Sequence, residues 1–172
     1  VFCVSQKHAL KITTRLNELA EKYFPNKFQS DFAIQVTSNV TNPDPQQMTI
    51  DFKNNNLRGN SPINELYKTS KARVCVTVGM MTTGYDCRDL LNICLFRPVF
   101  SPTEFIQMKG RGTRIFDFKE CWKDKKQIPK TINSIKSSFK LFDYFKNYQY
   151  FEEEFDYDEV LKLPAEGTGG EG

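Results

Sequence analysis

Long hydrophobic runs are missing from this 172-residue sequence. No stretch approaches the roughly 18 apolar residues that a bilayer-spanning helix needs, and no signal peptide opens the chain, so no membrane role is expected. Histidine occurs once, at His8, and none of the five cysteines forms a C-x-x-C pair. Cys3, Cys75 and Cys94 sit inside apolar runs. Free thiols in a reducing cytoplasm fit this pattern, and a disulfide framework or a zinc site does not. A phosphate-binding loop is also lacking. Gly79 and Gly84 have the glycine spacing of one, but Tyr85-Asp86 stands where Lys-[Ser/Thr] would have to follow. The one Asp-Glu pair, Asp158-Glu159, follows no apolar strand, and Pro43-Asp44 reads as a helix cap rather than as part of a nuclease centre. The chain begins at Val1 in a strand-like run, and we expect a larger polypeptide that carries the missing loop ahead of it.

What is present is an ordinary globular composition, 39% hydrophobic and 26% charged, enough for one domain with a real core. The net charge of +3 conceals a split. Residues 1–150 hold 23 Lys/Arg against 13 Asp/Glu, whereas residues 151–172 hold one Lys against eight acids. A basic body suits a phosphate-rich partner; charge alone leaves a solvated surface beside an acidic tail equally open. Residues 1–151 are expected to form the folded domain. Residues 152–172, acidic and then Gly/Glu-rich, are expected to be a tail or a lead-in to a further domain.

Strand and helix patterns alternate. Val1–Val4, Phe32–Val36, Ala72–Val78, Asn92–Phe96 and Phe139–Phe142 read as strands. Ser5 can cap a helix whose apolar positions are Ala9, Ile12, Leu16, Leu19, Ala20 and Tyr23. Asp44-Pro45-Gln46-Gln47 and Ser101-Pro102-Thr103-Glu104 carry cap, N1 proline and capping-box residue in sequence. A short helix is expected from Ser61, and residues 121–133 read as an excursion. The alternation predicts an α/β domain with a mainly parallel sheet, helices on both faces, and ligands at the carboxyl ends of the strands.

Two segments carry chemistry. In Thr82-Thr83-Gly84-Tyr85-Asp86, Gly84 admits close backbone approach, the two hydroxyls can hold a phosphate, and Asp86 can accept from a ribose hydroxyl or an arginine. A plain strand-to-helix turn capped by Asp86 would look the same. In Gln107-Met108-Lys109-Gly110-Arg111-Gly112-Thr113-Arg114, the two arginines are three apart and would share one side of a helical turn. Gln107 lies one turn back, placed to orient a water. Paired guanidiniums can clamp a polyphosphate and neutralise charge on a transferring phosphoryl group. A basic helix end favoured by the macrodipole is the simpler alternative. We expect these arginines beside the sheet edge from which the T-T-G loop emerges.

Together the segments resemble the second RecA-like (P-loop NTPase-type) domain of superfamily two helicases, a three-layer α/β fold. T-T-G-Y-D looks like the motif that couples nucleotide to DNA, and Q-M-K-G-R-G-T-R fits the arginine-finger pattern Q-x-x-G-R-x-x-R. R-P-V-F-S-P ahead of it and F-D-Y-F after it are similar to the motor (R) subunit of type I restriction enzymes. This resemblance covers roughly residues 1–155. It implies that Arg111 and Arg114, helped by Gln107, complete the site for ATP and Mg²⁺ held mainly by a first RecA-like domain, with Gly84 and Asp86 lining the cleft. It further implies that Ser5, Thr37, Ser38, Thr82 and Thr83 grip the backbone of double-stranded DNA. Methylation and specificity subunits would be partners, and the chain alone would be inactive. A repair or remodelling helicase lobe and a non-catalytic nucleic-acid-binding module remain alternatives. The aromatic cluster at Phe139, Phe142, Tyr144, Phe145, Tyr148, Tyr150 and Phe151 is expected to pack the last strand; a base-stacking platform is the other reading.

Overall fold

The computed structural model describes residues 1–28, 30–37, 45–53, 72–79, 87–121, 126 and 134–155. Five strands form one parallel sheet: β1 (Phe2–Cys3), β2 (Ala33–Val36), β3 (Val74–Thr77), β4 (Asn92–Phe96) and β7 (Lys140–Asp143), in the order β2-β3-β1-β4-β7. The sequence reading of a mainly parallel α/β sheet with helices on both faces agrees with this architecture.

Alternation along the strands divides the core into two layers. Phe2, Ile34, Val36, Cys75, Ile93 and Leu95 face one side, and Cys3, Ala33 and Val76 face the other. Helix α1 (Gln6–Tyr23) covers the second side through Ala9, Ile12 and Leu16. Asn17 on α1 both donates to and accepts from the backbone of Ala33, at 3.0 and 2.8 Å, which fixes the helix on edge strand β2. Tyr23, counted among the apolar positions of α1, is exposed. The first side is covered by α2 (Pro45–Lys53), through fully buried Met48, and by α3 (Pro102–Gly110), through Phe105 and Met108. Phe105 stacks on Phe151 with ring centroids 5.0 Å apart. Each such burial contributes about 1.5–3 kcal/mol.

Two features differ from the sequence reading. A two-stranded antiparallel sheet, β5 (Phe116–Asp117) with β6 (Ile135–Lys136), brackets the 121–133 segment. Strands of two residues carry no readable period. The packed chain also passes the expected boundary at 151. The helical turn α4 (Asn147–Gln149) runs into a π-helical turn at Tyr150–Glu154, Phe155 packs against the core, and Glu152 pairs with Lys109. The helix expected from Ser61 and the tail beyond Phe155 lie outside the described residues, as does most of the 121–133 segment.

Candidate functional site

At the carboxyl edge of the sheet, Ser5 ends the turn after β1. Its extended backbone and its hydroxyl, which accepts from the His8 N–H at 3.2 Å, make it the cap of α1. The residue is exposed. Thr37, directly after β2, corrects the sequence reading: it is buried, and its hydroxyl accepts from the Gln35 side chain at 3.3 Å. The same Gln35 amide donates to the carbonyl of Gln6, so Thr37 and Ser5 belong to one connected corner, but only Ser5 faces solvent. Ser38, Thr82, Thr83, Gly84 and Asp86 lie outside the described residues.

The motif pieces R-P-V-F-S-P and F-D-Y-F meet at this edge. Arg97 donates to the carbonyl of Val78 at 3.2 Å and pairs with Glu104 in the first turn of α3, also at 3.2 Å. Ser101 caps that helix by accepting from the Glu104 N–H. Buried Asn147 joins the two pieces: it accepts from the Val99 N–H at 2.8 Å and donates to Arg97 O at 3.1 Å and to Asp143 at 2.8 Å. Asp143 in turn accepts from the backbone N–H groups of Phe145 and Tyr148. The motifs therefore hold a shape. Of the aromatic cluster, Phe139 and Phe151 pack inward. Phe142, Tyr144, Phe145, Tyr148 and Tyr150 are exposed, which overturns the packing expectation for them. Edge strand β7 has no described helix over its second face. Tyr144 instead stacks on Phe96 at 4.4 Å.

Helix α3 runs back across the sheet, and the loop that follows it lies at the amino edge. Gly112 touches Phe139, the residue before β7, and Lys140 donates to Leu91 just before β4. The arginines are thus at the edge opposite the one from which the 79–86 segment emerges. They stand beside Cys87–Asp89, where that segment ends. The physical reason is the antiparallel direction of a crossover helix relative to its strands.

Arg111 is the α-helical C-cap of α3 and is half-buried, with its Nε shielded. With Asp89 and Asn92 it lines a cavity of about 640 Å³. Gln107, one turn back, is half-buried. The turn continues through bonds from Arg111, Gly112 and Thr113 N–H groups to Met108, Lys109 and Gly110 carbonyls, then opens. Arg114 therefore lies outside the helical turn that was expected to align it with Arg111, and it is exposed. Gly112 has a packing reason: a Cβ there would run into the Phe139 ring.

Sequence reasoning missed Lys136. Its residue is 3% exposed, and Nζ donates to the carbonyls of Gly112 at 2.7 Å, Arg114 at 2.5 Å and Arg88 at 3.2 Å. Burial holds its pKa below the ordinary lysine value, with Asp89 and Cys87 pulling it back up. The only sequence signal was a lone lysine in a short stretch of serines and apolar residues, where nothing suggests burial. Burial pushes the Cys75 thiol up to about 12 and that of Cys3 to about 11, so both stay neutral and unreactive at physiological pH. No described helix is long and apolar enough to cross a membrane.

No protein-family model matches the chain. Over 152 residues, 88% of its length, it is 29% identical to the endonuclease subunit of the type I restriction enzyme EcoKI from Escherichia coli strain K12. It spans 11% of that protein. Its fold is similar to a fragment structure of an HsdR subunit of a type I restriction enzyme from Vibrio vulnificus YJ016, with a TM-score of 0.55 and 25% identity. That match covers 88% of this chain and 24% of the other. In sequence and in fold, this chain is similar to subunits of type I restriction enzymes.

Proposed function

We propose that this chain is the C-terminal motor lobe of an ATP-dependent double-stranded DNA translocase, a RecA-like domain of a type I restriction (R) subunit. The observation that supports the reading is the R-G-T-R loop, with one half-buried and one exposed arginine, held to the backbone of Arg88 through the Lys136 ammonium.

In this reading Arg111 and Arg114 reach across a cleft to the γ-phosphate of ATP bound by a first RecA-like domain. Gln107 orients the attacking water, and Gly84 and Asp86 line the cleft. The described residues fit the phosphate end of the nucleotide through two guanidiniums. Mg²⁺, like ATP, is assigned mainly to the first domain, as the family resemblance implies. Bound there, ATP and Mg²⁺ supply the phosphoryl chemistry; this chain supplies compensating positive charge. Ser5, Ser38, Thr82 and Thr83 contact the DNA backbone without reading sequence. Thr37 contributes by holding its corner in shape. Sequence choice belongs to companion specificity and methylation subunits, in the cytoplasm. Arg97 and Asn147, which give R-P-V-F-S-P and F-D-Y-F one joint structure, favour the restriction subunit over a repair helicase lobe.

The test is Arg114→Ala in the complete subunit. DNA-stimulated ATP turnover is expected to fall on the order of 10³-fold, with DNA affinity and its steep salt dependence unchanged. Unaltered turnover would remove the arginine from the mechanism. The isolated chain is expected to hydrolyse no ATP.

A further inference from the structure

We infer that Lys136 is the positioning residue of Arg114, its buried ammonium setting the backbone from which that arginine reaches and tying it to the backbone at Arg88. The inference rests on the motor-lobe reading and names a residue that this reading does not itself require.

A lysine this deep is costly unless every donor is satisfied. An ammonium has three N–H groups, and Lys136 meets three carbonyls, those of Gly112, Arg114 and Arg88. The acceptors come from two segments. Gly112 and Arg114 lie within R-G-T-R, past the point where α3 stops supplying partners. Arg88 lies two residues after Asp86. An apolar side chain could fill the volume, but it would leave three inward-facing carbonyls without donors. The segments are joined a second time by Arg88, whose guanidinium donates to Ile115 O at 3.3 Å and lies 5.7 Å from the Phe116 ring centre. The Lys136 side chain therefore fixes the spacing between the R-G-T-R loop and the backbone at Arg88. It touches neither ligand.

The expected signature is a fall in turnover without weaker binding. In the complete subunit with DNA, Lys136→Met should lower ATPase kcat roughly ten- to a hundredfold, as a displacement near 1 Å does. KM for ATP should stay within about twofold, with DNA affinity unchanged. Because Lys136 acts through Arg114, adding Lys136→Met to Arg114→Ala should cost almost nothing further, whereas a role confined to folding would make the two losses multiply. Lys136→Gln, which keeps two donors, should lose less, and it carries the same cycle if the methionine variant does not fold. Unchanged kcat in a folded variant, or multiplying losses, overturns the positioning role and leaves the motor reading standing. If Arg114→Ala alone leaves kcat unchanged, both fall.

Discussion

The two edges of the sheet are organised by the same device with opposite chemistry. At the carboxyl edge a buried amide, Asn147, gathers backbone from Arg97 and Val99 and the side chain of Asp143. At the amino edge a buried ammonium, Lys136, gathers backbone from Arg88, Gly112 and Arg114. The first edge presents a serine hydroxyl and exposed aromatic rings, with Arg97 engaged by Glu104. The second presents arginines. The difference shows that the two edges of one parallel sheet can offer different side-chain chemistry. Each edge needs its own polar anchor because loops lack the ladder bonds of strands.

Breaking the carboxyl-edge anchor should have the largest effect on stability. Asn147→Leu leaves the buried Val99 N–H and the Arg97 carbonyl without their partner, which should cost about 2–4 kcal/mol. Urea unfolding reads it, and an unmoved midpoint would mean that the edge is held by something else. Gly112→Ala probes the opposite edge through sterics rather than polarity. The added methyl meets the Phe139 ring, and overpacking of this kind costs about 1–3 kcal/mol. ATP turnover should fall with it, since the same loop carries Arg114; a full-strength, fully stable variant would show that Phe139 yields freely. The smallest effect is expected at Ser5. Ser5→Ala removes the α1 cap at about 1 kcal/mol, and should weaken DNA binding modestly while leaving basal ATP turnover alone. A salt-dependence curve for DNA binding that overlays the unaltered chain would take Ser5 out of the backbone grip.

Much of this fold was legible because its signals are local. Ser5 and Ser101 cap α1 and α3 as their neighbours predict. The apolar runs around Ile34, Val76 and Leu95 are buried strands, and Met48 faces the core. The arginine motif was legible as residue types, yet its position was not. Counting Arg111 and Arg114 as neighbours on a helical turn assumed that the helix continues, and α3 ends at Gly110. Thr37 read as a free hydroxyl because nothing local reveals that Gln35, two residues earlier on the same strand face, reaches it. The exposed aromatics after β7 misled for a related reason: hydrophobic composition implies a core only where another layer covers the strand.

By itself, then, the sequence determined the alternation of strands and helices, the caps, the two-faced burial along each strand, and the chemical types offered to a ligand. These depend on contacts within a few residues of chain. Only the tertiary structure decided which edge each motif occupies, that Gly112 is required by Phe139, and that Lys136 and Asn147 are buried anchors. Those outcomes depend on groups 22 to 50 residues apart in the chain, such as Lys136 with Arg114 and Asn147 with Arg97. A polar side chain reveals whether it is solvated or spent on a distant carbonyl only once the chain has closed around it.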